Sequence, residues 1–252
     1  MNYSRQLGLI DPSQIGKKSI SLIGVGATGS MMACLMAQLG WGNTPHGQGV
    51  LKVFDGDKIE EHNLANQAYQ LKHIGMLKVD ALDDVIMNKC GFHIETHNEM
   101  VTDQKSVRAN YVCILTDTMK SRKEIFDNCL QHCFDIDLVV ETRMGLRDGR
   151  IYAFNPSNLE HVEWWRQTLY DDNVAQVSAC GASASIITTV GFIASLATSR
   201  IVQHYNARYG SGSLNGKDGK EPPMWNEVHF SLYPETFYMR QFGKEPVIAI
   251  PS

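Results

Sequence analysis

Gly24-Val25-Gly26-Ala27-Thr28-Gly29 is the stretch on which the fold is decided. It has the G-x-G-x-x-G pattern, and its flanks say how to read it. Ser19-Ile20-Ser21-Leu22-Ile23 reads as a buried strand and residues 30–39 as a Met-rich apolar helix, so the glycines form a tight strand-to-helix turn. There Gly24, Gly26 and Gly29 let backbone N–H groups approach a phosphate at the positive end of a helix dipole. A second strand, Val50-Leu51-Lys52-Val53-Phe54, ends at Asp55, a carboxylate placed to accept hydrogen bonds from a ribose hydroxyl. The pair reads as an adenine-nucleotide site, and a dinucleotide dehydrogenase fits it equally well. A glycine turn that merely packs helix on strand is the bland alternative, and the acid at the next strand end argues against it.

Working outward, the strand–helix alternation continues with a helix over 76–89, strands over 94–100 and 111–115, a helix over 120–133 and a strand over 138–141. Such alternation implies an α/β fold with a doubly wound, mainly parallel sheet. Residues 150–154 read as a further strand and 181–205 as a long helix whose Ala, Ser and Gly content permits close packing. The Gly-, Ser-, Lys- and Pro-rich stretch 210–223 reads as a flexible loop or linker, and alternation at Val228, Phe230, Leu232, Phe237 and Met239 suggests a terminal hairpin.

Composition sets the class. With 252 residues, 43% apolar and 20% charged, the chain has the make-up of a soluble globular protein and excludes disordered and fibrous classes. A net charge of −4 offers no basic field for nucleic acid or anionic membrane, so neither partner is expected. The longest apolar stretch, 186–197, is broken by Thr188, Thr189 and Ser195 and is too short to span a bilayer. The N-terminal residues carry no apolar signal core. Six cysteines (Cys34, Cys90, Cys113, Cys129, Cys133, Cys180) are scattered through periodic segments, which points to reduced thiols and a cytoplasmic location.

The text after Asp55 narrows the reading. Asp55-Gly56-Asp57, then Asn63-Leu64-Ala65-Asn66-Gln67, then Ile74-Gly75-Met76-Leu77-Lys78-Val79-Asp80-Ala81, resembles the ubiquitin-activating-enzyme superfamily in its compact ThiF/MoeB-type adenylyltransferases of bacterial or phage kind. Tyr3-Ser4-Arg5-Gln6, Thr116-Asp117-Thr118 with Arg122 beyond it, and Gly181 ahead of the long helix agree with it. The resemblance covers roughly residues 1–205, and its joint spacing is more specific than any single motif.

The resemblance implies a Rossmann-like nucleotide-binding half with a C-terminal β extension: an adenylation domain over 1–209, the linker 210–223, and the extension 224–252 packed on the same domain. It implies ATP and magnesium, and activation of the C-terminal carboxylate of a small ubiquitin-like or sulfur-carrier-like protein or peptide, glycine-ended, as an acyl-adenylate. Lys78 would contact the phosphates, Asp117 would hold magnesium, and Asn63 would contact the nucleotide. Asp57, Asn66, Gln67, Thr118 and Arg122 fall in the same nucleotide-binding set. Arg5 matches an arginine supplied across a dimer interface, which implies a homodimer with composite sites. Taken singly, Lys78 reads equally as a solvated helix lysine, Asp117 as a turn residue and Arg5 as an arm salt bridge.

Two departures stand out. Asn66 occupies the place of the usual arginine, removing one cationic contact and favouring a non-catalytic nucleotide-binding scaffold as one rival reading; a nicotinamide-dependent oxidoreductase is the other, and gives Lys78 and Asp117 no task. The CxxC pairs of many relatives are absent, so no structural zinc is expected. Cys180 stands before Gly181 at a helix start, where its thiolate would be favoured and where it would take an acyl group from the adenylate; packing is the alternative. Trp164-Trp165 would either cover a bound peptide or cap the core.

Overall fold

The computed structural model of the chain describes residue 15 and residues 17–43, 50–103, 105–172, 186–209 and 224–249. The stretch expected as a linker, the N-terminal arm with Arg5, and Cys180 with Gly181 lie outside the described residues. One sheet of nine strands organises what is described, in the order β3-β2-β1-β4-β5-β6-β7-β8-β9.

Strands β1 (Ile20–Ile23), β2 (Leu51–Phe54), β3 (Glu95–His97), β4 (Tyr111–Ile114) and β5 (Leu138–Met144) are mutually parallel. Every residue of β1 and β4 is buried, as a strand covered on both faces requires. Strands β6 (Asp148–Phe154), β7 (Glu227–Leu232), β8 (Glu235–Arg240) and β9 (Val247–Ala249) extend the sheet antiparallel, so the tail expected as a hairpin is a three-strand continuation of the same sheet. Strand β3 keeps three of the seven residues expected for it, because it is the edge strand and pairs with the four-residue β2 alone.

Helices α1 (Ala27–Leu39), α2 (Lys78–Cys90) and α5 (Ile187–Tyr209) cover one face, where Leu22, Val53, Met32, Ala194 and Ala197 share a core. Helix α1 ends at Gly40, whose φ of 106° forms the left-handed cap that closes it. The other face carries α3 (Met119–Ile125) and α4 (Leu159–Gln167) around Phe126, Phe154 and Trp165.

One sequence expectation changes here, and one open reading is decided. The helix expected over 120–133 stops at Ile125 and passes into a π-type turn, Phe126–Leu130, closed by Gln131 N donating to Phe126 O; the Cys129 carbonyl in that turn accepts from Arg108 Nε at 2.9 Å. Trp164-Trp165 lies on a helix of its own, α4, started by the Asn158 side chain accepting from His161 N. Trp165 is fully buried, stacks on Phe154 and donates to Glu141 Oε2 at 3.2 Å, so it is a core residue. Trp164 is half-buried against Phe242, with Arg240 over its ring.

Strand β1 is flanked by β2 on one side and β4 on the other, and the connections leave it in opposite directions. That reversal opens a crevice at the carboxyl ends of β1, β2 and β4, where a doubly wound sheet binds its ligand.

Candidate active site at the glycine turn

The turn after β1 is held at several points. Gly24 N donates to Phe54 O at 2.8 Å, and the residue has a φ of +92°. A Cβ on Gly24 would lie 3.0 Å from Leu115 O, and one on Gly29 would lie 2.0 Å from Gly24 O. These two glycines are therefore required by backbone closeness. Gly26 differs, since a Cβ there meets nothing within 4 Å and would project into open space. Helix α1 begins at this point with no side-chain cap and no acidic residue in its first turn. An open space above an uncapped helix start is a cradle for an anion.

Asp55 is 8% exposed and both its oxygens are engaged: Oδ2 accepts from Val25 N at 2.8 Å and Oδ1 from Asp57 N at 2.9 Å. It thus pins the glycine turn to the end of β2, keeping further lone pairs for a ribose hydroxyl. Tyr69 gives a second buttress, its hydroxyl donating to Val25 O at 2.6 Å; burial first and the nearby Asp55 second push that hydroxyl far above its ordinary pKa, so it stays a donor.

Lys78 opens α2 and is 8% exposed, which rules out the solvated helix lysine. Its Nζ lies 2.7 Å from Asp57 Oδ2 and 3.9 Å from Asp55 Oδ1. A cation at a helix N-terminus opposes the helix dipole, and the two carboxylates offset that cost. Asp57 keeps its side chain 62% exposed, so the ammonium sits at the edge of the crevice. Asn63 is buried in a 3-10 turn, Oδ1 accepting from Glu60 N at 2.8 Å and its carbonyl from Gln67 N at 3.0 Å. Asn66 caps that turn, its N–H directed at Asn63 O. Buried Gln67 Oε1 has no hydrogen-bond partner in the protein.

Leu115 and Thr116, beside Gly24, lead into Asp117 and Thr118, both exposed. Thr118 is the N-cap of α3, its Oγ1 accepting from Ser121 N at 3.1 Å. Asp117 presents its carboxylate outward while its carbonyl accepts from Arg122 Nη1 at 3.0 Å. Arg122 is 1% exposed: Nη2 donates to Thr142 O at 3.1 Å, and Nε lies 2.8 Å from Glu141 Oε1. The guanidinium is therefore directed into the protein and supports the Asp117 loop from below. Burial alone would raise the Glu141 carboxyl, yet Arg143 and then Arg122 hold it below the ordinary value.

Sequence reading therefore brought Gly24, Gly26, Gly29, Asp55, Asp57, Asn63, Asn66, Gln67, Lys78, Asp117 and Thr118 to one sheet edge, with Arg122 behind it. It missed Tyr69, Glu141 and Arg143. The last two carried a signal, an acid and a base two apart on one strand, hence on one face. The five described cysteines are free and buried; burial raises the Cys34 and Cys129 thiols to about 11 each and lifts those of Cys90, Cys113 and Cys133 as well.

The open cradle at Gly26 and the orphaned Gln67 Oε1 fit an adenine nucleotide. Among the described residues no group of three or more His, Cys, Asp or Glu side chains is gathered to hold a metal, and no helix is long and apolar enough to cross a membrane. Asp117 and phosphate oxygens together suit magnesium, which usually takes one or two carboxylates beside its substrate phosphates.

Fold and turn define an α/β protein with Rossmann-like topology. A model of the ThiF family matches residues 3–230, and the chain belongs to that family. Over 128 residues it is 30% identical to ubiquitin-like modifier-activating enzyme 5 of Caenorhabditis briggsae, and over 107 residues 31% identical to that of Caenorhabditis elegans. These alignments take in 48% and 40% of this chain and 28% and 24% of the relatives, so it spans about a quarter of their length. In fold it is similar to PaaA (TM-score 0.63, 16% identity, 92% of this chain and 66% of that one). It is also similar to Escherichia coli MccB with ATP (TM-score 0.62, 12% identity, 99% and 70%) and to MccB in complex with N-formylated MccA (TM-score 0.63, 12% identity, 94% and 69%).

Proposed function

We propose that the chain is an ATP-dependent adenylyltransferase that activates the C-terminal carboxylate of a small protein or peptide as an acyl-adenylate. The observation that carries this reading is the meeting of an open, uncapped glycine turn with Lys78 and the Asp117 loop at one sheet edge. A dehydrogenase needs the turn alone. Membership of the ThiF family supports it, as do relatives named for activating a ubiquitin-like modifier and a fold shared with a protein seen with ATP.

In the reaction a carboxylate oxygen attacks the α-phosphorus of ATP, the bond from that phosphorus to the bridging oxygen breaks, and pyrophosphate leaves with the electron pair. The first-turn amides of α1 cradle phosphate oxygens at Gly26. Lys78 moves its ammonium from Asp57 towards the triphosphate and neutralises charge that builds on the leaving group. Asn63, Asn66, Gln67 and Asp55 hold the nucleoside end. Magnesium bound at Asp117 would supply further charge neutralisation. Arg122 acts by fixing the Asp117 carbonyl. Arg5 would reach the phosphates of a partner subunit's site in a homodimer; for a thioester product the Cys180 thiolate would attack the acyl carbon of the adenylate, the carbon–oxygen bond to the phosphate would break, and AMP would leave.

ATP–pyrophosphate exchange tests this directly, using peptides that end in glycine and amidated controls. Exchange that requires a free carboxyl terminus is expected. Binding of ATP with magnesium but no exchange with any partner would leave a non-catalytic nucleotide-binding scaffold, and binding of NAD in place of ATP would make the protein an oxidoreductase.

A further inference from the structure

Helix α3 starts immediately after Asp117 and Thr118, and its first amides are satisfied in an unusual way. Ser121 N uses the local cap, Thr118 Oγ1. Met119 N and Lys120 N instead donate to Asp172, the first to Oδ1 at 2.7 Å and the second to Oδ2 at 3.0 Å. Asp172 lies just beyond α4, more than fifty residues away in sequence. Both carboxylate oxygens are spent on the main chain of one loop. Met119 is buried, so Asp172 satisfies a donor that water reaches poorly, whereas the exposed Lys120 amide has water as an alternative and its bond adds a second hold on the same carboxylate.

The same two parts of the chain are also joined underneath. Arg122 holds the Asp117 carbonyl and lies against Glu141; Glu141 accepts from Arg143 Nε at 3.0 Å; Arg143 donates to Thr168 O at 2.7 Å and to Thr168 Oγ1 at 2.9 Å. Thr168 caps α4, four residues before Asp172. The loop bearing Asp117 is thus fastened to the end of α4 twice, below by a buried charge network and above by Asp172. A loop held on two sides presents its carboxylate in one geometry, which is what a metal-holding group needs.

We infer that Asp172 is a positioning residue for Asp117: by clamping the first two amides of α3 it fixes the loop that holds magnesium against the nucleotide. The inference rests on the adenylation reading for its purpose, yet it is measurable without turnover.

Asp172→Ala removes both bonds, and Asp172→Asn keeps one acceptor oxygen. Two measurements apply to each. Hydrogen exchange at Met119 and Lys120 is expected to quicken at least about tenfold in Asp172→Ala while amides of β1 and β4 keep their protection. Calorimetric binding of a non-hydrolysable ATP analogue, titrated at stepped magnesium concentrations, should show half-maximal enhancement at about tenfold more magnesium in Asp172→Ala, with Asp172→Asn between it and the wild type. Binding without magnesium should not change, and thermal unfolding should report an intact fold. Faster exchange with an unchanged magnesium dependence would reduce Asp172 to a helix cap, and unchanged exchange would remove the clamp itself. Wild-type protein that binds the analogue with magnesium but never exchanges pyrophosphate would sink the adenylation reading and leave the clamp standing.

Discussion

The Arg122 guanidinium lies 2.8 Å from the Glu141 carboxylate, with both side chains sealed from solvent, and also donates to the main-chain carbonyl of Asp117. The loop proposed to hold the metal is therefore built on a buried ion cluster, because Arg143 approaches the same carboxylate at 2.8 Å. Such a cluster costs much to desolvate and is a poor source of net stability, but breaking one member leaves the others uncompensated. Its conformational effect, holding one loop in one place, is the more natural reason for its presence.

Glu141→Gln should therefore destabilise the fold by about 3–5 kcal/mol, read by chemical denaturation, because two guanidiniums lose their buried counter-charge. The pH dependence has a definite sign. The folded Glu141 carboxyl lies below its ordinary value, as does that of Glu227, where burial is outweighed by His229 and Arg240. Groups depressed in this way contribute stability above the unfolded value of about 4.3 and lose it as pH falls through the folded value. Wild-type stability should hardly change between about pH 7 and 5 on their account and should fall below about pH 4, with a shallower acid slope in Glu141→Gln. An equal acid slope in both proteins would show that Glu141 is not held ionised.

Lys78 gives a prediction about rate. Lys78→Met keeps the stem that packs at the start of α2 and removes the charge, so exchange should fall by about 100-fold or more. Unfolding should shift little, since the ammonium opposes the dipole of its own helix. Pyrophosphate exchange at the wild-type rate would take Lys78 out of the site.

Gly26 and Gly29 separate function from folding within one turn. In Gly29→Ala the new methyl meets the Gly24 carbonyl and the turn must shift, at about 2–3 kcal/mol. Gly26→Ala meets no protein atom and should cost about 1 kcal/mol or less, yet its methyl would enter the proposed phosphate cradle and should weaken ATP at least about tenfold. Calorimetric titration beside thermal unfolding distinguishes them, and equal ATP affinity in Gly26→Ala and wild type would move the nucleotide elsewhere.

The parallel half of the fold was legible because its strands, glycine turn and helices are local patterns: residues 19–23 read as a buried strand and 111–115 as a strand, and the structure has them at Ile20–Ile23 and Tyr111–Ile114. In the sequence the Trp164-Trp165 pair stays open between a ligand cover and a core cap, and helix α4 goes unread, because what decides Trp165 for the core is the distant Phe154 and Glu141. The π-type turn at Phe126–Leu130 was missed because a helical pattern does not reveal where the Cys129 carbonyl is claimed by Arg108. Motif spacing named residues that the fold gathers near the carboxyl ends of β1, β2 and β4, with Arg122 turned inward behind them. It could not find Asp172, whose bonds to Met119 and Lys120 exist only once the chain has returned.

The last prediction concerns assembly. Arg5 lies ahead of β1, and the family resemblance gives it to the active site of a second subunit. If that holds, each site needs Arg5 from one chain and Lys78 from the other. Arg5→Ala and Lys78→Ala chains would each be inactive alone. In a mixed dimer, one site carries both defects and the other carries none, so mixing the two proteins under exchange conditions should give each heterodimer up to about half the activity of a wild-type dimer. Light scattering gives the oligomeric state and pyrophosphate exchange the recovery. A monomer, or a dimer whose mixtures stay inactive, would place Arg5 outside the catalytic machinery.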